Sequence, residues 1–145
     1  MALRLPHMVP SDVPREAVPR PPLPLTVEGG CHCGAVRFRA TFRTYDASDC
    51  NCSMCTKKAI VHLIVPKEDF TLLRGKDALS TYRFNTMTAA HHFCKTCGIH
   101  AFYVPRSHPD GFSVNGRSVE GIELSWFTVR AFDGQNWEAS VHTLR

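Results

Sequence analysis

A chain of 145 residues, 43% hydrophobic and with a formal net charge of +4, is long enough for one domain and too short for two ordinary ones. No run approaches the ~18–20 apolar residues of a membrane span. No block of like charges forms a nucleic-acid tail, and no apolar segment followed by small residues opens the chain. A cytoplasmic location is therefore expected, with the nucleus as a second compartment, and a membrane partner is not.

Residues 1–24 hold seven of the ten prolines. Proline lacks the backbone donor and fixes φ, so this stretch is expected as an extended tail, with the domain proper running from 25 to 145. Gly29, Gly30 and Gly34 bracket a first pair of cysteines, Cys31 and Cys33, where glycine lets the backbone turn tightly. Val36, Phe38, Ala40 and Phe42 then alternate with Arg37, Arg39, Thr41 and Arg43, which predicts a half-buried strand with a solvated basic face. A short polar link leads to Cys50, Cys52 and Cys55, and Thr56-Lys57-Lys58 continues as a helical turn.

Strands are predicted over Ile60–Val65 (with His62 inside), Phe70–Leu73 and Leu79–Phe84. Phe93–Val104 reads as a hairpin whose turn is the Cys94–Gly98 knuckle and whose return strand is Ile99–Val104. Phe112–Val114 and Ile122–Val129 are the last strand candidates, and Trp137 is expected to pack near the C-terminus. No stretch sustains a 3.6-residue apolar period over three turns, so the chain reads as mostly β, with many short strands in a fold stapled by zinc.

All seven cysteines lie in three clusters, and an odd number excludes full pairing within one chain. In a reduced compartment such short spacings point to zinc. Two knuckles far apart in sequence supply four thiolates, so Cys31, Cys33, Cys94 and Cys97 are predicted to bind a structural zinc. A redox role for the C-x-x-C lacks the βαβ context it would need. Cys50, Cys52 and Cys55 offer three ligands, the number typical of a catalytic zinc with one exchangeable position. A histidine such as His62, His91, His92 or His100 would instead close that site, and metal-free reduced thiols are a further alternative. H-E-x-x-H, the zinc-deaminase signature, G-x-G-x-x-G and the P-loop are all absent from the sequence.

Three stretches together resemble the glutathione-dependent formaldehyde-activating enzyme family: Gly29-Gly30-Cys31-His32-Cys33-Gly34-Ala35-Val36, Cys50-Asn51-Cys52-Ser53-Met54-Cys55 and Phe93-Cys94-Lys95-Thr96-Cys97-Gly98. Thr81-Tyr82-Arg83-Phe84-Asn85-Thr86 matches as well. Lys57-Lys58, His62-Leu63-Ile64-Val65-Pro66 and Tyr103-Val104-Pro105-Arg106-Ser107 are similar to the animal branch that includes centromere protein V. The resemblance implies an all-β fold of the Mss4-like or β-tent group, two zinc ions per chain and an open catalytic zinc at Cys50, Cys52 and Cys55. It implies carbon–sulfur lyase chemistry joining glutathione to formaldehyde as S-(hydroxymethyl)glutathione.

Glutathione carries two carboxylates and an amine, so Lys57, Lys58, Arg83, Asn85 and Arg106 are candidate substrate contacts. His62, His91 and His92 are candidates for moving protons. Two other readings stand beside this one. The first is a non-catalytic zinc-stabilised module for chromatin or cytoskeleton, although no motif specifies a nucleic-acid or cytoskeletal partner. The second is a related zinc enzyme for another thiol or electrophile.

Overall fold

The computed structural model describes residues 17–144. The described residues form ten short strands in three sheets, with two short α-helices and several 3-10 turns between them. Among the described residues no helix is long and apolar enough to cross a membrane.

The first sheet is antiparallel and contains β1 (Leu25–Gly30), β2 (Arg37–Phe42) and β5 (Phe70–Arg74), in the order β1-β2-β5. The alternation expected in β2 is present: Phe38, Ala40 and Phe42 are buried. Its basic face is not simply solvated. Arg37 chelates Glu120, Arg39 bonds Glu28 at 2.8 Å, and Arg43, just past the strand, makes two bonds to Asp69 at 2.8 and 2.9 Å. These arginines tie the strand to its neighbours through charge-assisted bonds that sequence spacing cannot show.

The second sheet has five strands in the order β10-β3-β4-β9-β8. They are β3 (Asp46–Cys50), β4 (His62–Pro66), β8 (Phe102–Tyr103), β9 (Gly111–Asn115) and β10 (Thr128–Phe132). The link before the triplet is thus a strand, β3, hydrogen-bonded on both sides. Its polar sequence hid it, because only Ala47 faces the core. The expected strand Ile122–Val129 is replaced by a 3-10 turn at Leu124–Trp126 and by β10, which runs parallel to β3.

The third sheet pairs β6 (Leu79–Tyr82) with β7 (His91–Cys94). The expected hairpin across Cys94–Gly98 closes as a turn, but its return strand shrinks to β8 and pairs with β9. The Ala90–Val104 bridge and the Cys94 amide, which donates to the Ile99 carbonyl at 2.9 Å, join the two arms.

Residues opposite one another in a sheet share a face. The register pairs Ser48 with His62, His62 with Asn115, Ile64 with Ser113 and Tyr103 with Ser113. These residues make one face of the five-stranded sheet. Ala47, Leu63, Val65, Phe102 and Val114 make the other, which packs on the first sheet. The partly buried Phe70 packs against that core, with ring centroids 4.2 Å from Phe112, 4.7 Å from Phe102 and 5.6 Å from Phe38. Fully burying a ring such as Phe38 or Phe102 contributes roughly 1.5–3 kcal/mol.

Residues 17–24, the described part of the proline-rich stretch, lie against this body. The Trp126 indole N–H donates to the Val18 carbonyl at 2.9 Å, the Tyr45 hydroxyl donates to the Pro21 carbonyl at 2.6 Å, and the Arg20 guanidinium sits 4.6 Å from the Tyr45 ring centroid. The remaining prolines, up to Pro14, lie outside the described residues.

Candidate metal centres and cleft

The two outer cysteine knuckles meet at one edge of the core. Each turn closes on a glycine in the left-handed region, Gly34 at φ +80° and Gly98 at +77°, a conformation that L side chains rarely adopt. The sulfurs of Cys31 and Cys33 are 3.6 Å apart, and those of Cys33 and Cys94 are 3.7 Å apart. All four ligand atoms, Cys97 included, lie within 4.8 Å of one another. Four sulfurs ~2.3 Å from a tetrahedral zinc stand about 3.8 Å apart, so this set fits such an ion. The Cys31 sulfur accepts the Val36 amide at 3.2 Å, and the Cys33 and Ile99 amides hold the Cys97 thiol down at about 6.

The inner triplet is built by the join of β3 to α1 (Ser53–Lys58). Cys50 ends the strand. Cys52 is the N-cap of the helix, in extended conformation, and its sulfur accepts the Cys55 amide at 3.4 Å. The Cys52 amide in turn meets the Cys50 sulfur at 3.5 Å. Hydrogen bonds from the Cys50 and Cys55 thiols, then from the Cys55 and Met54 amides, hold the Cys52 thiol far below its usual range. The three ligand atoms lie within 4.8 Å of one another, and among the described residues no fourth Cys, His, Asp or Glu joins them. No disulfide is formed by any of the seven cysteines. Both clusters can therefore hold a metal ion.

The triplet opens into a cleft of about 220 Å³. Its floor is the polar face of the five-stranded sheet, with Ser48, His62, Ile64 and Tyr103. Its walls come from the loop after β6 and from the C-terminal segment. His62 is buried, and its Nδ1 meets two hydroxyls, Tyr103 at 3.0 Å and Ser113 at 3.2 Å. Burial pushes the His62 imidazole down to about 4, so it is neutral near pH 7. His91 stacks on Tyr103, with centroids 5.0 Å apart, and also lines the cleft.

The C-terminal wall is fastened to the triplet itself. The Asn51 side-chain amide donates to Asp133 at 2.9 Å, its carbonyl oxygen accepts the Gln135 amide at 3.0 Å, and the Gln135 side chain bonds the Asn51 backbone carbonyl at 3.0 Å. Trp137, in α2 (Trp137–Ser140), packs edge-on against Phe132 and lies under the Arg106 guanidinium at 4.5 Å. Arg106 also bonds Glu138 at 3.1 Å.

Of the residues singled out in the sequence, the cleft gathers Cys50, Cys52, Cys55, His62, Asn85, His91 and Arg106. It does not gather Lys57, Lys58, Arg83 or His92. Lys57 is exposed on α1. The Lys58 amine is half-buried, 3.1 Å from His100 Nδ1 and 5.2 Å from the Phe93 ring centroid. Arg83 bonds the Met87 carbonyl at 2.9 Å and so braces the turn beyond β6. His92 bonds the Thr81 hydroxyl at 2.8 Å beside a different groove. Sequence reasoning missed Ser48, Gly134, Gln135 and the cleft-facing role of Tyr103 and Trp137. The turn signal Asp133-Gly134 was visible, but nothing local said that this turn returns to Cys50.

A family model described as "Glutathione-dependent formaldehyde-activating enzyme" matches residues 26–124, more than half of the chain. A Halomonas elongata protein named "Putative glutathione-dependent formaldehyde-activating enzyme" is 33% identical over 82 residues, which are 50% of this chain and 52% of that protein. The chain thus spans about half the length of this curated relative. A crystal structure of a Rhodobacter sphaeroides protein superposes with a TM-score of 0.66 at 34% identity, over 72% of this chain and 98% of that one. With three cysteine clusters placed as the sequence spacing predicts and the family match spanning all of them, the chain belongs to the glutathione-dependent formaldehyde-activating enzyme family.

Proposed function

We propose that the chain is a carbon–sulfur lyase-type enzyme that joins glutathione to formaldehyde, with zinc held at both cysteine clusters. The observation that carries this reading is the three-thiol cluster at the base of a cleft, with no fourth protein ligand beside it. Cys31, Cys33, Cys94 and Cys97 would hold a structural ion, and Cys50, Cys52 and Cys55 the other. Bound at the triplet, zinc supplies a Lewis-acid centre that favours a thiol as its thiolate.

The net reaction is an addition across a carbonyl. The glutathione sulfur forms a bond to the formaldehyde carbon, the carbonyl π pair moves to oxygen, and the thiol proton ends on that oxygen. The chain's own residues orient and enclose these partners. A volume of about 220 Å³ is below the roughly 300 Å³ at which ordinary small-molecule sites begin. It suits a cysteinyl end and a one-carbon aldehyde, with the rest of the tripeptide at the mouth. There Arg106 and the Asn85 and Gln135 amides offer donors to its carboxylates. Phe84, Phe132 and Trp137 keep water from the reacting carbon.

Exchange-sensitive NMR on glutathione and formaldehyde tests the proposal. Added protein is expected to speed their equilibration, and Cys52→Ser, with its fold intact, is expected to abolish the effect. Tight glutathione binding with an unchanged rate would reduce the protein to a carrier.

A further inference from the structure

We infer that His62 presents a fixed Nε2–H donor to the hydroxyl oxygen of the bound S-(hydroxymethyl)glutathione, an assignment that rests on the function proposed above. The starting point is an unpaired atom. His62 is 4% exposed, its ring lines the cleft with the three thiols, and its Nε2 has no hydrogen-bond partner. A buried ring nitrogen left so is costly unless a ligand or water meets it.

The other nitrogen decides which proton the ring carries. Nδ1 faces the Tyr103 hydroxyl at 3.0 Å and the Ser113 hydroxyl at 3.2 Å. Both hydroxyl residues are buried, Ser113 completely; the two hydroxyls also bond each other, and among the described residues no further side-chain bond serves either. If Nδ1 accepts, both O–H protons are used, either directly or by way of the neighbouring hydroxyl. If Nδ1 carried the proton, one buried O–H would be stranded at a comparable cost. The neutral ring therefore keeps its proton on Nε2.

His91, which also borders the cleft, has an unpartnered Nδ1 but no bond at its other nitrogen to fix a tautomer. His100 is fixed by Lys58, but it does not line the cleft.

A donor of this kind distinguishes an oxygen-bearing adduct from its carbon isostere. Sites built to hydrogen-bond a hydroxyl reject the analogue that lacks it. In setting the His62 proton, Tyr103 and Ser113 act through His62 and are positioning residues. No proton transfer from His62 is required.

The test uses the full metal-loaded chain, labelled with 15N, and two probes: S-ethylglutathione and the hydroxymethyl adduct from equilibrated glutathione and formaldehyde. Long-range 1H–15N spectra are expected to show the Nε2–H tautomer of His62. That resonance should shift with the hydroxymethyl adduct and not with the ethyl one. Wild-type protein should prefer the hydroxymethyl adduct by about tenfold. His62→Phe should erase the preference, and His62→Gln, whose amide can still donate, should restore part of it. Tyr103→Phe should weaken both the tautomer bias and the preference. An Nδ1–H tautomer, equal wild-type binding of the two adducts, or a preference that survives in His62→Phe overturns the assignment alone. Failure of every glutathione species to bind wild-type protein overturns the proposed function with it. If His62→Phe does not fold, the wild-type spectra decide.

Discussion

Gly134 lies against the sulfur of Cys50 so closely that a Cβ on it would stand 2.5 Å from Sγ. The same atom would be 3.0 Å from the Cys52 Cβ. The turn after β10 is therefore fitted to the triplet, and glycine is needed there for space.

Gly134→Ala should push either the turn or the Cys50 side chain away. A thiol that must also serve as a metal ligand cannot move freely, so metal at the triplet should weaken while the four-thiol site keeps its ion. Metal analysis of the purified variant, expected to fall from two ions per chain towards one with the fold retained, checks this.

Asn51→Ala removes two of the three bonds that fasten residues 133–137 to the triplet. At about 1 kcal/mol net for each bond, the C-terminal segment should open roughly tenfold or more often. Hydrogen exchange should accelerate at Gln135 and Trp137, with little change in β4 or β9. Uniform acceleration across the sheet would show that the clamp is not local.

The two clusters should differ in what their loss does. Cys94 is fully buried in the core cluster, whereas Cys52 is half-buried at the cleft. Cys94→Ser is expected to abolish folding, and Cys52→Ser to leave a folded chain with one ion. Chelators should remove the triplet ion first and unfold the chain only when the second ion leaves. Circular dichroism alongside metal analysis reads both steps.

Burial first, then the Lys58 ammonium 3.1 Å away, holds His100 down to about 3, against an ordinary value of 6.5. Its folded value is depressed, so the stability it contributes is present above pH 6.5 and lost as pH falls towards 3. Within that window one histidine steepens the loss by about 1.4 kcal/mol per pH unit. Urea midpoints measured from pH 7 to 4 should fall less steeply in His100→Gln. Parallel curves for the two proteins would show that His100 already takes up its proton in the folded state.

The cysteine clusters were legible because ligand spacing is a local property. Cys31-x-Cys33 and Cys94-x-x-Cys97 each close their own turn, and Cys50-Asn51-Cys52-Ser53-Met54-Cys55 is one strand end joined to one helix cap. The strand β2 was legible because a two-residue period shows which side is buried. The His62, Ser113 and Tyr103 constellation was not, because it depends on β4, β9 and β8 lying side by side. Hydrophobic pattern does not encode strand order. Lys58 looked like a surface cation, yet it bonds His100 from half-buried surroundings. The short α1 helix turns it away from the cleft, a direction that charge alone could not reveal.

The parallel pairing of β10 with β3 has a consequence for where the chain can be cut. The family match ends at residue 124, before β10 begins. A chain shortened to that boundary would keep all seven thiols but leave one side of β3 as a naked edge, a template for pairing with other molecules. The 21 residues after 124 thus keep the edge of the sheet at β10, one strand away from the strand that delivers Cys50.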